Sequence, residues 1–313
     1  MNGFAIGASD SIRAGWTRAP YSSIGPGRSP GVIKPDVMGF GGSGREPFMV
    51  YDSLKAPKLS TTTGTSFSAP AVLRLAAGVR AHFGDRLSAL GIKALLIHSS
   101  VADDYSAGEV GWGKVPETLE SLVTCSESAV RVVYQGELTP SQYLRALIPL
   151  PGTPLRSSVT LKATIVYATA VDPEDPGSYT RSGLDVTFRP HSQKFKNDDS
   201  VDPKSRPFFQ RSAFDPEATL RHDAHKWETV MRKEVRMQGR SLHDPVFDIH
   251  YNARQGGGAP ENADKIRYAL VVDISCVKAK TLYDDVARTF AGRLEALRPR
   301  VEIPLAIRTT AGP

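Results

Sequence analysis

The chain has 313 residues, 40% of them hydrophobic, and a formal net charge of +6, so it can bury a core and its length predicts two domains. Its lysines and arginines are interleaved with acidic residues rather than clustered, which argues against a nucleic-acid partner. The sequence contains no apolar run of roughly 18 residues, so a membrane partner is not expected either.

The cysteine content is low. Cys125 and Cys276 are the only two cysteines, and they lie far apart in the sequence. They can form a disulfide, but two isolated thiols are more typical of a reducing compartment. We therefore expect a cytoplasmic location.

The first elements are predicted as short strands separated by turns. Residues 3–8 form a short apolar run closed by small residues, which is typical of a strand in a buried parallel sheet. Glycines and prolines are frequent in residues 9–30, which indicates turns. Residues 48–50 predict another strand, and residues 59–63 lead from it towards a serine.

That serine lies in residues 64–70, GTSFSAP, directly before apolar residues at helical spacing. The spacing predicts a helix over 67–83, with Pro70 in its first turn, where a missing N–H is harmless. Ser66 then lies at the positive end of the helix dipole, beside free N–H groups that can stabilise an oxyanion. For Gly-Thr-Ser alone, a helix cap is the simpler interpretation.

Three upstream segments make a nucleophile the favoured interpretation of Ser66 over a helix cap. Residues 4–8 (FAIGA) look like the V-G-A strand of the subtilisin-like serine peptidases, the subtilases. Residues 21–26 (YSSIGP) are similar to the F-S-S-x-G-P segment of that family, and residues 33–37 (IKPDV) to its I-K-P-D-V segment. The resemblance implies an α/β fold, with residues 1–125 as the C-terminal portion of a subtilisin-like parallel-sheet catalytic domain.

The resemblance also assigns roles around the serine. It implies that Ser66 is the nucleophile and that Thr65 either helps to hold the oxyanion or only caps the helix. Gly64 and Thr63 support the same loop, and Thr63 stands where the family commonly has asparagine. In the family the triad runs in the order Asp, His, Ser. No D-T/S-G or H-G-T-H motif precedes Ser66, nothing matches the oxyanion asparagine, and the first histidine is His82.

We therefore expect a piece of a subtilase that lacks the triad aspartate, the triad histidine and the oxyanion asparagine. The loop over 61–65 is expected to be mobile or displaced, because the histidine helix that supports it in the family is missing. His98 ends a second predicted helix over 87–98, and a structural role is favoured for it. Asp36 either contacts substrate or metal, or locks a loop behind the site, and the second reading is favoured.

The residue pattern of the sequence changes from residue 129 onwards. Alternating β-branched runs predict an antiparallel sandwich or jelly-roll-like domain over 126–313, and subtilases often carry such a domain after the catalytic one. A long polar loop is predicted near 190–225, and a helix over 282–297. The eight predicted strands cover residues 130–134, 143–150, 158–167, 183–188, 226–236, 246–251, 266–277 and 301–307.

We predict neither a metal ion nor another cofactor. His222 and His225 form the only close histidine cluster, and a zinc site needs a third protein ligand. The acidic loop over 172–175 lacks the glycine and the spacing of a known calcium loop.

Two functions remain open at this point. The first is the C-terminal part of a serine endopeptidase that hydrolyses peptide bonds through Ser66. Its partners are a peptide or protein substrate and the missing N-terminal half of the catalytic domain. The second is a catalytically silent, β-rich accessory or interaction module that carries an orphan serine.

Overall fold

The computed structural model describes residues 3–27, 31–54, 56–140, 142–174, 179–209, 227–253 and 264–295. Its elements, in chain order, are β1 (Ile6–Ser9), β2 (Val37–Phe40), β3 (Phe48–Tyr51), β4 (Leu59–Thr62), α1 (Thr65–Phe83), α2 (Ala89–Ser99), α3 (Ala107–Val110), α4 (Leu119–Val123), β5 (Ala129–Leu138), β6 (Tyr143–Leu147), β7 (Ser158–Ala168), β8 (Ser182–Arg189), β9 (Val230–Gln238), β10 (Val246–Ala253), β11 (Ile266–Ser275) and α5 (Leu282–Thr289).

A small parallel sheet carries the serine helix. β1 pairs in parallel with β2, and α1 packs on both strands. The buried Ser68 hydroxyl donates a hydrogen bond of 2.6 Å to the carbonyl of Gly7. A Cβ at Gly39 would lie 2.9 Å from the Ser68 hydroxyl oxygen, so a glycine is required for this approach. The parallel strand predicted near the start of the chain is thus confirmed.

The two long helices differ slightly from their predicted limits. α1 starts at Thr65, two residues earlier than predicted, because the Gly64 carbonyl accepts hydrogen bonds from the amides of Phe67 and Ser68. α2 starts at Ala89, where the Ser88 hydroxyl accepts a bond from the amide of Gly91.

The helix near the end of the described chain is shorter than expected. α5 ends at Thr289 instead of continuing to 297, and the chain turns through Gly292 at a φ of 80°. A positive φ at this position ends helical geometry. Residue 297 lies outside the described residues.

The strands described after residue 128 form two antiparallel sheets. The first has the strand order β6-β10-β8 and the second β5-β11-β7-β9. The seven strands predicted within the described part of this region are all present, and the eighth, over 301–307, lies outside it. The apolar faces of the two sheets share one core, which includes Leu161, Ile165, Leu184, Phe188, Phe247, Ile249, Leu270 and Val272.

The second face of the four-stranded sheet is covered by α2. Val166, Ala269 and Val271 from this face join the core that is built by α1 and α2. The predicted boundary near residue 125 therefore marks the start of the β-branched strand pattern in the sequence, whereas apolar packing continues across it. The division into domains 1–125 and 126–313 stays a prediction.

Parts of the predicted long loop are described. Residues 190–209 follow β8, and Arg206 forms an isolated antiparallel bridge with Phe188. The remainder of the loop, with His222 and His225, lies outside the described residues, as does the glycine run at 256–258. Within the described ranges, no helix has both the length and the apolar content needed to cross a membrane.

Candidate active site

Ser66 is the second residue of α1, and it is exposed. The next two amides, of Phe67 and Ser68, donate to the Gly64 carbonyl at 3.1 and 3.3 Å. The amide and hydroxyl of Ser66 make no hydrogen bond to any other described residue. A backbone N–H at a helix N-terminus, next to a serine hydroxyl, suits a group that must receive negative charge.

The loop before Ser66 is held on the side of the small parallel sheet. The amide of Gly64 donates a hydrogen bond of 3.0 Å to the carbonyl of Gly41, which follows β2. The amide of Gly41 donates in turn to the carbonyl of Ser9, also at 3.0 Å. The serine loop is therefore tied to the ends of both β1 and β2.

A hairpin supplies a second support. β4 pairs with β3, and Thr62 lies opposite Phe48. The Phe48 ring packs between those of Phe40 and Phe67, with centroid distances of 5.7 and 5.5 Å. Strand pairing and aromatic packing thus support residues 61 and 62 in β4, and the expectation that residues 61–65 are mobile or displaced stays a prediction. Thr63 is exposed and Thr65 is partly buried.

Pro70 lies one turn deeper in α1 than predicted. It is the sixth residue of the helix, because the helix starts at Thr65. A proline has no N–H, so the carbonyl of Ser66 lacks the donor that an uninterrupted helix would provide four residues later. The prediction that Pro70 occupies the first turn is wrong for this reason.

Neither of the histidines nearest in sequence reaches Ser66. His82 lies on the same helix sixteen residues later, which is about 24 Å along the helix axis. His98 is fully buried at the end of α2, where Nδ1 hydrogen-bonds with the Thr164 hydroxyl at 2.9 Å. Among the described residues, no histidine hydrogen-bonds to the Ser66 hydroxyl.

The sequence comparison decides the family of this part. Residues 2–113 match the model of the subtilase family. This segment is similar to the subtilases. The match includes the small parallel sheet, the serine loop, α1 and α2, and it ends at the turn before Lys114.

The other comparisons add no functional argument. The search of curated proteins finds no match. The VP2 subviral particle of infectious bursal disease virus is similar at a TM-score of 0.27 and 11% identity, over 49% of this chain and 34% of that chain. PliG of Aeromonas hydrophila, a periplasmic inhibitor of g-type lysozyme, matches at a TM-score of 0.21 and 10% identity, over 49% and 93% of the two chains. This chain thus spans about a third of the VP2 chain, and both likenesses are too weak to define a fold.

Asp36 has a structural place in the subtilase segment. Its carboxylate is buried, accepts a hydrogen bond of 2.7 Å from the amide of Ala5, and pairs with Lys34. These contacts join the loop before β2 to the chain before β1. They support the loop-locking role over contact with substrate or metal.

The buried charges around His98 were not predicted. The Nε2 atom of His98 lies 3.1 Å from Asp273, off the line of a good hydrogen bond. Arg131 grips the same carboxylate with two hydrogen bonds of 2.7 Å. Burial lowers the pKa of His98 to about 4, against the opposing effect of Asp273. Burial alone raises the pKa of Asp273, but the contacts with Arg131 and His98 bring it well below its ordinary value.

The signal for this cluster was present in the sequence. Arg131 and Asp273 each interrupt an apolar run in a predicted strand. A charge in a mostly apolar strand indicates a partner across the sheet. That partner cannot be named before the strand register is known.

The described residues contain no set of three or more His, Cys, Asp or Glu side chains placed to share a metal ion. The candidates His222 and His225, and residue 175 of the acidic loop, lie outside the described ranges. Cys125 is exposed, Cys276 is buried, and both are free thiols.

Proposed function

We propose that the chain is the C-terminal part of a subtilisin-like serine endopeptidase and that Ser66 is its nucleophile. One observation carries this proposal. The exposed Ser66, with its unpaired N–H, starts a helix within the family segment, in the GTSFSAP context. A hydroxyl and a backbone donor side by side at a positive helix end suit acyl transfer.

The proposed roles follow the order of the reaction. Ser66 attacks the carbonyl carbon of a peptide bond while a histidine takes its proton. The Ser66 N–H, the Thr65 hydroxyl and an asparagine hold the oxyanion, and Gly64 and Thr63 shape the loop. Histidine, aspartate and asparagine come from sequence outside these 313 residues. Residues 126–313 act as an accessory β-domain of the sandwich or jelly-roll kind. The substrate is a peptide or a protein, and the protein works in the cytoplasm.

The second candidate is a silent β-rich interaction module with an orphan serine. It is favoured by one observation, namely that no described histidine bonds to Ser66. Loss of the triad histidine costs about 10⁶ in turnover in subtilisin. The isolated chain is therefore expected to be inactive under both proposals, and activity of the chain alone does not distinguish them.

A complementation experiment separates the two. A segment from an active subtilase, with its D-T/S-G, H-G-T-H and asparagine motifs, is fused before residue 1, and the fusion is treated with a fluorophosphonate probe. We expect stoichiometric labelling that is lost in Ser66→Ala and kept in Ser53→Ala, a nearby exposed serine. The unfused chain should not be labelled. A folded fusion that stays unlabelled would favour the silent module.

A further inference from the structure

We propose that Glu228, just before β9, and Arg232, on β9, are positioning residues for the serine loop. They act through the back of the subtilase segment, so the four-stranded sheet braces the candidate active site. The assignment of a catalytic purpose rests on the proposed function, whereas the mechanical connection does not. The family match ends at residue 113, before β5, and includes neither residue.

Glu228 holds the loop that leads into β2. Its side chain is buried, at 6% exposure, and its carboxylate accepts hydrogen bonds from the amides of Gly31, at 2.7 Å, and Val32, at 3.2 Å. A carboxylate that binds backbone amides in this way makes strong, charge-assisted bonds. Lys34 and Lys93 line the small cavity beside it, whose volume of about 10 Å³ has space for one water molecule.

Arg232 holds the end of α2 and the turn that follows α3. Its Nη1 donates to the carbonyl of Ile97 at 2.6 Å and to the carbonyl and hydroxyl of Ser100 at 2.9 and 2.8 Å. Its guanidinium lies over the Trp112 ring, 5.4 Å from the centroid. Burial lowers the pKa of Arg232 to about 10, and the charge of Glu234 opposes this shift.

Both anchor points connect directly to β2. The amide of Trp112 donates to the carbonyl of Asp36 at 2.9 Å, and the amide of Met38 donates to the carbonyl of Gly113 at 2.9 Å. A side chain at Gly111 would collide with the carbonyl of Pro35, so this turn fits closely against the loop. The loop held by Glu228 and the turn held by Arg232 therefore meet at the start of β2.

β2 carries the connection to the serine. The strand runs from Val37 to Phe40, and the next residue is Gly41, whose carbonyl accepts the amide of Gly64. Gly64 is the N-cap of α1, two residues before Ser66. Each step of this route ends in an amide that can be observed: Val32, Trp112, Met38 and Gly64.

Hydrogen exchange of the full chain tests the route. In Glu228→Gln and in Arg232→Lys, we expect exchange at these four amides to accelerate about tenfold, as for the loss of a charged hydrogen bond. The matched controls are Glu137→Gln on β5, which pairs with the exposed Lys265, and Arg236→Lys on β9, and both should leave the four amides unchanged. The amide of Leu270 in the central strand β11 serves as the internal reference and should also stay unchanged.

Two outcomes would overturn the proposal. In one, Val32 and Trp112 accelerate while Gly64 does not, and the support then ends before the site. In the other, Leu270 accelerates as much as Gly64, and the two residues then contribute only to global stability. If Glu228→Gln does not fold, Glu228→Asp keeps the charge but shortens the side chain, and the same four amides are read.

A second measurement tests whether the contacts of Glu228 and Arg232 affect the reactivity of Ser66. In the fused protein, Glu228→Gln and Arg232→Lys should slow probe labelling of Ser66 at least about tenfold, because a small misplacement of a nucleophile is costly. Glu137→Gln should label at the unaltered rate. Exchange does not require a working serine, so a fusion that never labels would refute the proposed function and leave the exchange result intact.

Discussion

The two faces of the four-stranded sheet are built differently. The face towards the three-stranded sheet is apolar, with Leu161, Ala163 and Ile165 from β7 and Leu270 from β11 all buried. The face towards α2 combines apolar residues with a row of charges. In the strand register, Arg131, Asp273, Lys162 and Glu234 are successive neighbours across the four strands.

The difference shows how one sheet can serve two purposes. Apolar contacts stabilise in proportion to buried area but are not directional, so they tolerate several ways of packing. Charged hydrogen bonds require defined partners at defined distances. The first face therefore builds a general core, and the second specifies where α2 and the subtilase segment sit.

Separating the chain at residue 125 gives the largest expected effect. Residues 126–313 should fold cooperatively, because the core between the two sheets stays intact, but they should melt below the full chain and bind a hydrophobic dye through the uncovered face. Residues 1–125 should not melt cooperatively, because α2 loses the sheet and only two parallel strands remain in the described part.

A single substitution controls this experiment. Val271→Thr should reduce dye binding in the fragment 126–313, where the residue faces water, and destabilise the full chain, where it is buried. A soluble, cooperatively melting 1–125 together with an aggregated 126–313 would contradict the assignment of the two faces.

Acid should weaken the charged face, which packs on α2, before it weakens the apolar face. Because folding lowers the pKa of His98 from 6.5 to about 4, its contribution is complete above pH 6.5 and is lost as the pH falls towards 4. The expected loss in the free energy of unfolding is about 3 kcal/mol. Below that range the lowered pKa of Asp273 adds a loss in the same direction.

Denaturant unfolding between pH 7.5 and 4.5 measures this effect. His98→Gln should flatten the pH dependence between 6.5 and 4.5, whereas His82→Gln, which removes a histidine outside the sheet contact, should keep it. An equal slope in His98→Gln and the unaltered chain would show that another group carries the acid sensitivity.

The smallest effect distinguishes a buried charge from an exposed one. Asp273→Asn leaves Arg131 without its carboxylate partner and should cost about 2 kcal/mol, because the pair is largely but not completely enclosed. Glu137→Gln breaks the exposed pair with Lys265 on the same sheet and should change stability by less than about 0.5 kcal/mol. Thermal or urea unfolding at neutral pH compares the two, and equal costs would mean that the buried row has no special role.

The strands were predictable from sequence because their signal is local. Alternation in the run around Leu161 defines β7 without knowledge of its neighbours, and local β-branched runs likewise predict the other six strands from β5 to β11. The serine loop was also predictable, because short motifs of a known family place Ser66 at the start of a helix.

The contacts that cross the chain were not predictable. Glu228 contacts Gly31 across nearly 200 positions, and no local pattern reports such a pair. Arg232 lies in a strand rich in charged residues, where Lys233, Glu234 and Arg236 look equivalent to it. Only the register and the position of α2 distinguish the partly buried Arg232 from its exposed neighbours.

The proline in the serine helix has a consequence for motion. In α1 the carbonyl of Ser66 has no donor from Pro70, so one fewer hydrogen bond joins the first turn to the rest of the helix. Helices bend most readily where such a bond is missing. The first turn with Ser66 therefore depends less on the helix than on its bonds to the sheet, from Gly64 to Gly41 and from Ser68 to Gly7.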